Sequence, residues 1–160
     1  MNRKAIAVVT VVAVVLAAAV SAIATAAKAA PASKQFVVIT ISHGSISEPF
    51  ALTSHSSGPL RRVRGTASFC CWTVGSVVRD GQKFDKGNPE MTLTGRRGTI
   101  VTRNRIVWMT VPGGAIYTGT WKVIRATGAY AGLTGGGLAA GAQLASGNVS
   151  ARFTGFVSTN

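Results

Sequence analysis

The sequence predicts an all-β domain of short antiparallel strands, arranged as a sandwich or an up-and-down barrel. Three observations carry this expectation. After residue 30 the hydrophobic period is two rather than 3.6, the apolar runs are short and rich in Val, Ile and Thr, and glycine-marked turns separate them at close intervals. No stretch of that region has the apolar spacing of a helix.

What precedes it has a different pattern. Arg3 and Lys4 are followed by an uncharged run from Ala5 to Ala27, and small residues then surround Lys28. Positive, apolar and small-residue regions in this order make a secretory signal peptide, expected to be helical and to be removed. Ala27-Lys28-Ala29 satisfies the small-x-small rule, so the expected organisation is a signal peptide over 1–29 and a single β domain over 30–160. The uncharged run reaches the ~20 residues that span a bilayer, and an uncleaved segment would anchor the same domain to a membrane. The alanine-rich composition and a second site, Ala24-Thr25-Ala26, favour cleavage. Arg3-Lys4 is not a twin arginine, which leaves the general secretory route and a secreted or extracytoplasmic location.

Cleavage would leave ~130 residues, enough for one domain with its own core. The whole chain has 17 Lys and Arg against four Asp and Glu, a formal charge of +13. Arg3, Lys4 and Lys28 lie in the leader and no acid does, so the mature domain keeps about +10 and is drawn to polyanions. Outside the cytoplasm these include anionic headgroups and acidic envelope polymers. Arg61, Arg62, Arg64, Arg96, Arg97, Arg103 and Arg105 fall near expected turns, without interleaved aromatics on which bases would stack. Nucleic acid is therefore not an expected partner.

The strands follow in order. Phe36 to Ser42 is the first, and Ser42 to Leu60, rich in Ser and Gly, is expected to be an open rim carrying His43 and His55. Gly65 to Val74 places Ala67, Phe69 and Cys71 on one face and Ser68, Cys70 and Trp72 on the other. Asp80 to Glu90 is expected as a solvated loop. Asp80, Asp85 and Glu90 lack the spacing of a calcium loop, and Lys83 and Lys86 oppose a cation there, so no metal site is predicted. Met91 to Thr94 and Thr99 to Thr102 flank the hairpin loop Gly95 to Gly98. After a polar turn at Arg103-Asn104-Arg105, Ile106 to Val111 runs into Pro112-Gly113-Gly114. Ile116 to Ile124 carries Trp121. Leu138 to Asn148 reads as a featureless connection, and Val149 to Val157 alternates with Val149, Ala151, Phe153 and Val157 on one face.

Cys70 and Cys71 are adjacent. Neighbours in a strand point to opposite faces, so a bridge between them is geometrically poor. Two unpaired thiols, at least one of them buried, are expected.

Gly119-Thr120-Trp121-Lys122-Val123, then Thr127-Gly128-Ala129-Tyr130-Ala131-Gly132 and Gly135-Gly136-Gly137, reads as a strand ending in a tight glycine-spaced bend with Tyr130 and Leu133 tucked inward. This segment resembles the G-T-W-x-V, T-G-x-Y-A-G, G-x-G signature of small secreted bacterial proteins with an allene oxide cyclase-like barrel, a shape related to dirigent proteins and lipocalins. Leu93 to Ile100 resembles that family's preceding hairpin and Arg152 to Val157 its closing strand, so the likeness covers roughly residues 65–157. It implies an antiparallel up-and-down barrel of about eight strands, whose interior is packed or holds one small ligand. The plant cyclases isomerise an unstable fatty-acid epoxide and dirigent proteins steer the coupling of phenolic radicals. None of their catalytic residues maps onto this sequence.

No cofactor loop or nucleophile elbow is present, and no cofactor is predicted. His43, His55, Glu48 and the three loop acids are the groups available for proton transfer, but no constellation among them assigns a catalytic residue. If the barrel is hollow, Trp72, Trp108, Trp121 and Tyr130 are the candidate ligand-binding residues; tryptophans at strand spacing otherwise belong to the core. The expected function is non-catalytic binding of an apolar small molecule or an acidic envelope polymer. The alternative is an isomerase or cyclase of the allene oxide cyclase type. A solvent-connected cavity holding His or Glu would favour the enzyme, and a filled interior would exclude both internal readings.

Overall fold

The computed structural model describes residues 33–42, 47–56, 58–71 and 74–159. The expected signal peptide, His43 and Trp72 lie outside these residues. The described residues form ten strands: β1 (Gln35–Ser42), β2 (Ser47–Ser54), β3 (Arg62–Cys70), β4 (Val74–Arg79), β5 (Gln82–Gly87), β6 (Glu90–Gly95), β7 (Gly98–Val111), β8 (Gly114–Ala126), β9 (Leu133–Leu144) and β10 (Val149–Thr159). They pair antiparallel in the order β4-β5-β7-β6-β3-β2-β1-β10-β9-β8, and β8 returns to β7 along its whole length. That last pairing closes the sheet, and closure leaves no edge on the ring.

The ring has eight members, because β4 and β5 continue the line of β3 and β6. β3 pairs with β6 and β4 with β5, while β5 and β6 lie along successive parts of β7. Only Asp85 to Gly87 of β5 reach β7, so the far part of the β4–β5 hairpin stands beyond the barrel. The fold is the closed eight-stranded antiparallel barrel rather than a sandwich.

Alternation builds the core. Val37, Ile39 and Ile41 of β1 point inward beside Phe50 and Leu52 of β2 and Ala151, Phe153 and Val157 of β10, all buried. Each large aliphatic or aromatic side chain so buried contributes about 1.5–3 kcal/mol. One end of the barrel is plugged. The 3₁₀ turn Gly128–Tyr130 crosses the β6–β7 turn, held by Ala129 N–H to the Arg97 carbonyl (2.9 Å) and Thr127 N–H to the Thr99 carbonyl (2.9 Å), and it buries Tyr130 with Leu60 and Leu133. Gly128 has φ +61°, and a side chain there would strike the Arg97 carbonyl, so the turn needs glycine to lie this close.

Several expectations are corrected. The rim Ser42 to Leu60 contains β2: its inward positions are Glu48, Phe50, Leu52 and Ser54, so polar residues at both ends mask the apolar period. The loop Asp80 to Glu90 contains β5, whose hairpin is largely exposed on both faces and so shows no apolar period. Arg103-Asn104-Arg105 is no turn but the middle of β7, with Asn104 inward and both arginines outward. Leu138 to Asn148 is largely β9. Its small residues hide the strand period, and at Gly141 a side chain would run into the Tyr117 ring on β8.

The cysteines are corrected as well. Cys70 and Cys71 are bonded to each other, and both are exposed. β3 ends at Cys70, and Cys71 turns away with φ +62°, so the alternation that would separate the two side chains does not apply; their Cα atoms are 3.7 Å apart.

Candidate ligand-binding site

Toward the end opposite Tyr130 the barrel is hollow. A cavity of about 440 Å³ lies between the start of β2, the end of β3, the second half of β7, the start of β8, the end of β9 and the start of β10. Antiparallel pairing brings these segments to one rim, and Thr110, Ala115 and Gly147 beside the β7–β8 and β9–β10 turns mark the opening. Small side chains at inward positions near the rim are why this half stays open. Phe69, Ile106, Val149 and Phe153 supply apolar wall, and Trp108 and Tyr117 add two larger rings. Gly141 faces Tyr117 across β8 and β9, and any side chain there would collide with the phenol ring, so glycine makes the room that this ring occupies.

The polar groups are few. Glu48 is 3% exposed, and its Oε2 has no hydrogen-bond partner. Loss of solvent around this carboxyl raises its pKa. Tyr117 is pushed up to about 12, first by burial and then by the charge of Glu48. Asn104 is buried and committed. Its backbone N–H and its Nδ2 both donate to the Pro89 carbonyl (2.9 and 3.3 Å), and its Oδ1 accepts from Thr102 Oγ1 (3.4 Å). It thereby ties the break between β5 and β6 to β7. No Lys, Arg or His is present among the described residues of the wall.

Two of the three remaining acids are engaged elsewhere, and the third, Asp80, lies in an exposed turn. Asp85 accepts from Ser76 Oγ (2.6 Å) and pairs with Lys83 (3.5 Å), and Glu90 pairs with Arg103 (2.5 Å). Cys70, Cys71 and Glu90 bring three potential ligand atoms within 4.8 Å of one another, but the sulfurs are bonded to each other and the carboxylate holds Arg103.

Of the four aromatic residues expected to bind ligand, the structure places Trp108 on the cavity wall. Trp121 is buried in the core, where its Nε1–H donates to the Thr154 carbonyl (3.2 Å), and Tyr130 plugs the other end. Trp72 lies outside the described residues. Sequence reasoning missed Tyr117, Phe69 and Phe153 as wall residues, and it counted Glu48 only among many titratable groups. The available signal was the phase of Glu48, an acid two residues before Phe50 and four before Leu52 on the inward face of one strand. His55 is exposed beyond the other end of β2, away from Glu48. No family model matches the chain, and none of the curated proteins or solved structures compared with it matches either.

Proposed function

We propose that this is an exported barrel that binds a small, mainly apolar molecule within its cavity. The observation that supports the reading is the cavity: about 440 Å³, walled largely by apolar and aromatic side chains, with a few polar groups and a plugged far end. Sites of this size and lining bury most of a small ligand's surface, and each Å² of apolar area so removed from water is worth roughly 25 cal/mol. The signal-peptide pattern over 1–29 puts the domain outside the cytoplasm under this reading. Native mass spectrometry of the protein purified from its own host tests it. A retained small-molecule mass is expected, and a clean apo mass across preparations would overturn the reading.

Glu48 favours a second reading, an isomerase or cyclase of the kind that the allene oxide cyclase-like signature suggests. Burial raises the Glu48 carboxyl and so favours its protonated form, which is a hydrogen-bond donor and a general acid. Glu48→Gln separates the two readings. A binding protein keeps its affinity for an apolar ligand, whereas an enzyme loses turnover while still binding.

The exterior supports a surface role beside either. Arg61, Arg62, Arg64, Arg96 and Arg97 are all exposed around the plugged end, where the β2–β3 and β6–β7 connections meet. An acidic envelope polymer held there would be released by moderate salt, since exposed charges are screened over about 8–10 Å at ordinary ionic strength.

A further inference from the structure

We propose that the cavity selects an organic cation, an amine or quaternary ammonium group on an apolar body, with Glu48 as its counter-charge. The inference rests on the internal-ligand reading and narrows it to a class of ligand.

The first argument is the company that Glu48 keeps. The chain has 17 Lys and Arg and only four acids. Asp85 and Glu90 are each paired with a cation, and Asp80 lies in an exposed turn. Glu48 is the acid that is buried, and no cation among the described wall residues meets it. A buried carboxylate without a partner is costly, and the cost is offset when a bound group brings the opposite charge. Its Oε2 is buried on the cavity wall without a hydrogen-bond partner.

The second argument is the rest of the wall. Phe69, Trp108, Tyr117 and Phe153 surround the same space, and aromatic faces attract ammonium groups, most strongly where water is excluded. A ligand with a carboxylate head would meet the charge of Glu48 and find no cation to receive it. Fatty acids are therefore disfavoured guests.

Acidity gives the sign of the pH dependence. Burial raises the Glu48 carboxyl, so affinity for a cation increases as pH rises through that raised value. Tyr117, the other titratable side chain on the described wall, stays neutral up to about 12, and the residue paired with Glu48 on β3 is Ala67. A neutral ligand whose oxygen accepts from a protonated Glu48 would show the opposite trend.

The test uses two probes of nearly identical shape, benzyltrimethylammonium and the neutral neopentylbenzene, titrated into the protein by ligand-observed NMR at about pH 4 and about pH 8. At the higher pH the ammonium is expected to bind at least about tenfold more tightly than its isostere, in keeping with a desolvated cation–aromatic contact and an ion pair. That preference should shrink at the lower pH and vanish in Glu48→Gln, with neopentylbenzene affinity retained. Equal or tighter binding of neopentylbenzene to the wild type, or a preference that survives Glu48→Gln, overturns the cation assignment and leaves the internal-ligand reading standing. Failure of both probes overturns both. If Glu48→Gln does not fold, the wild-type pH series decides alone, because a preference unchanged between the two pH values excludes Glu48 as the counter-charge.

Discussion

Glu48 on β2 and Tyr117 on β8 line the barrel cavity from opposite sides of the ring, and the charge of the carboxylate adds to burial in pushing the phenol up to about 12. The Glu48 carboxyl is itself raised by burial. The consequence is a dependence of stability on pH that can be signed. The folded chain holds the Glu48 proton more tightly than the unfolded chain, whose carboxyl has its ordinary value of 4.5. This contribution to stability is fully present below 4.5 and is lost as pH rises through the raised folded value. Glu48→Gln sheds the charge but keeps a buried polar group without a partner, so it is expected to stabilise the empty barrel at neutral pH by no more than about 1 kcal/mol. Denaturant melts at neutral and acid pH check it, and the gain should disappear on the acid side.

Ala115 offers a way to fill the cavity without touching its polar groups. It is half-buried on the wall near the opening. Ala115→Trp should place an indole in the open space and lower affinity for an internal ligand at least about tenfold with little change in melting temperature. Binding that survives this change would locate the ligand elsewhere.

Asn104 is predicted to matter for the hairpin more than for the ligand. Asn104→Leu removes the side-chain donor to Pro89 and the acceptor for Thr102 Oγ1, at a cost of about 1–3 kcal/mol. Amide exchange should accelerate in β4 and β5, which beyond Asp85–Gly87 have no pairing to β7. Exchange that quickens evenly over the barrel would contradict this account.

Tyr130 and Trp108 should separate stability from binding. Tyr130 fills the plugged end, so Tyr130→Ala is expected to cost about 3–5 kcal/mol in urea unfolding. Trp108 lines the open space, and Trp108→Ala should weaken ligand binding while costing less stability than Tyr130→Ala.

The bridge between Cys70 and Cys71 joins neighbours in sequence, so it closes no long loop of the unfolded chain. Replacing both by serine should change unfolding free energy by less than about 1 kcal/mol, unlike a bridge across a long loop. Melts of the wild type with and without a thiol reductant give the same comparison.

Much of the barrel is legible along the chain. β10 shows its inward face as Ala151, Phe153 and Val157, and the glycine-spaced bend announces that Tyr130 and Leu133 turn inward. The strands that escape notice are those whose period is masked. β2 begins and ends its inward face on Glu48 and Ser54, β5 is wet on both sides, and β9 is built from residues too small to show a period. β7 reads as two pieces because Asn104 occupies an inward position with a polar side chain.

The sequence by itself determined the strand period, most of the turns, the strongly basic surface and the pattern expected of an exported chain. Alternation says which face of a strand a residue occupies, and it does so from neighbours along the chain. It does not say at which level of the barrel that residue stands. Level is set by register between distant strands and by the closure of β8 on β7, a property of the whole sheet. Only the tertiary structure could therefore put Tyr130 in the plug, Trp121 in the packed middle and Trp108 in the hollow half, and bring Glu48 and Tyr117 to opposite sides of one cavity. Cys70 and Cys71 follow the same rule. Their bridge depends on where β3 stops and how the backbone turns at Cys71.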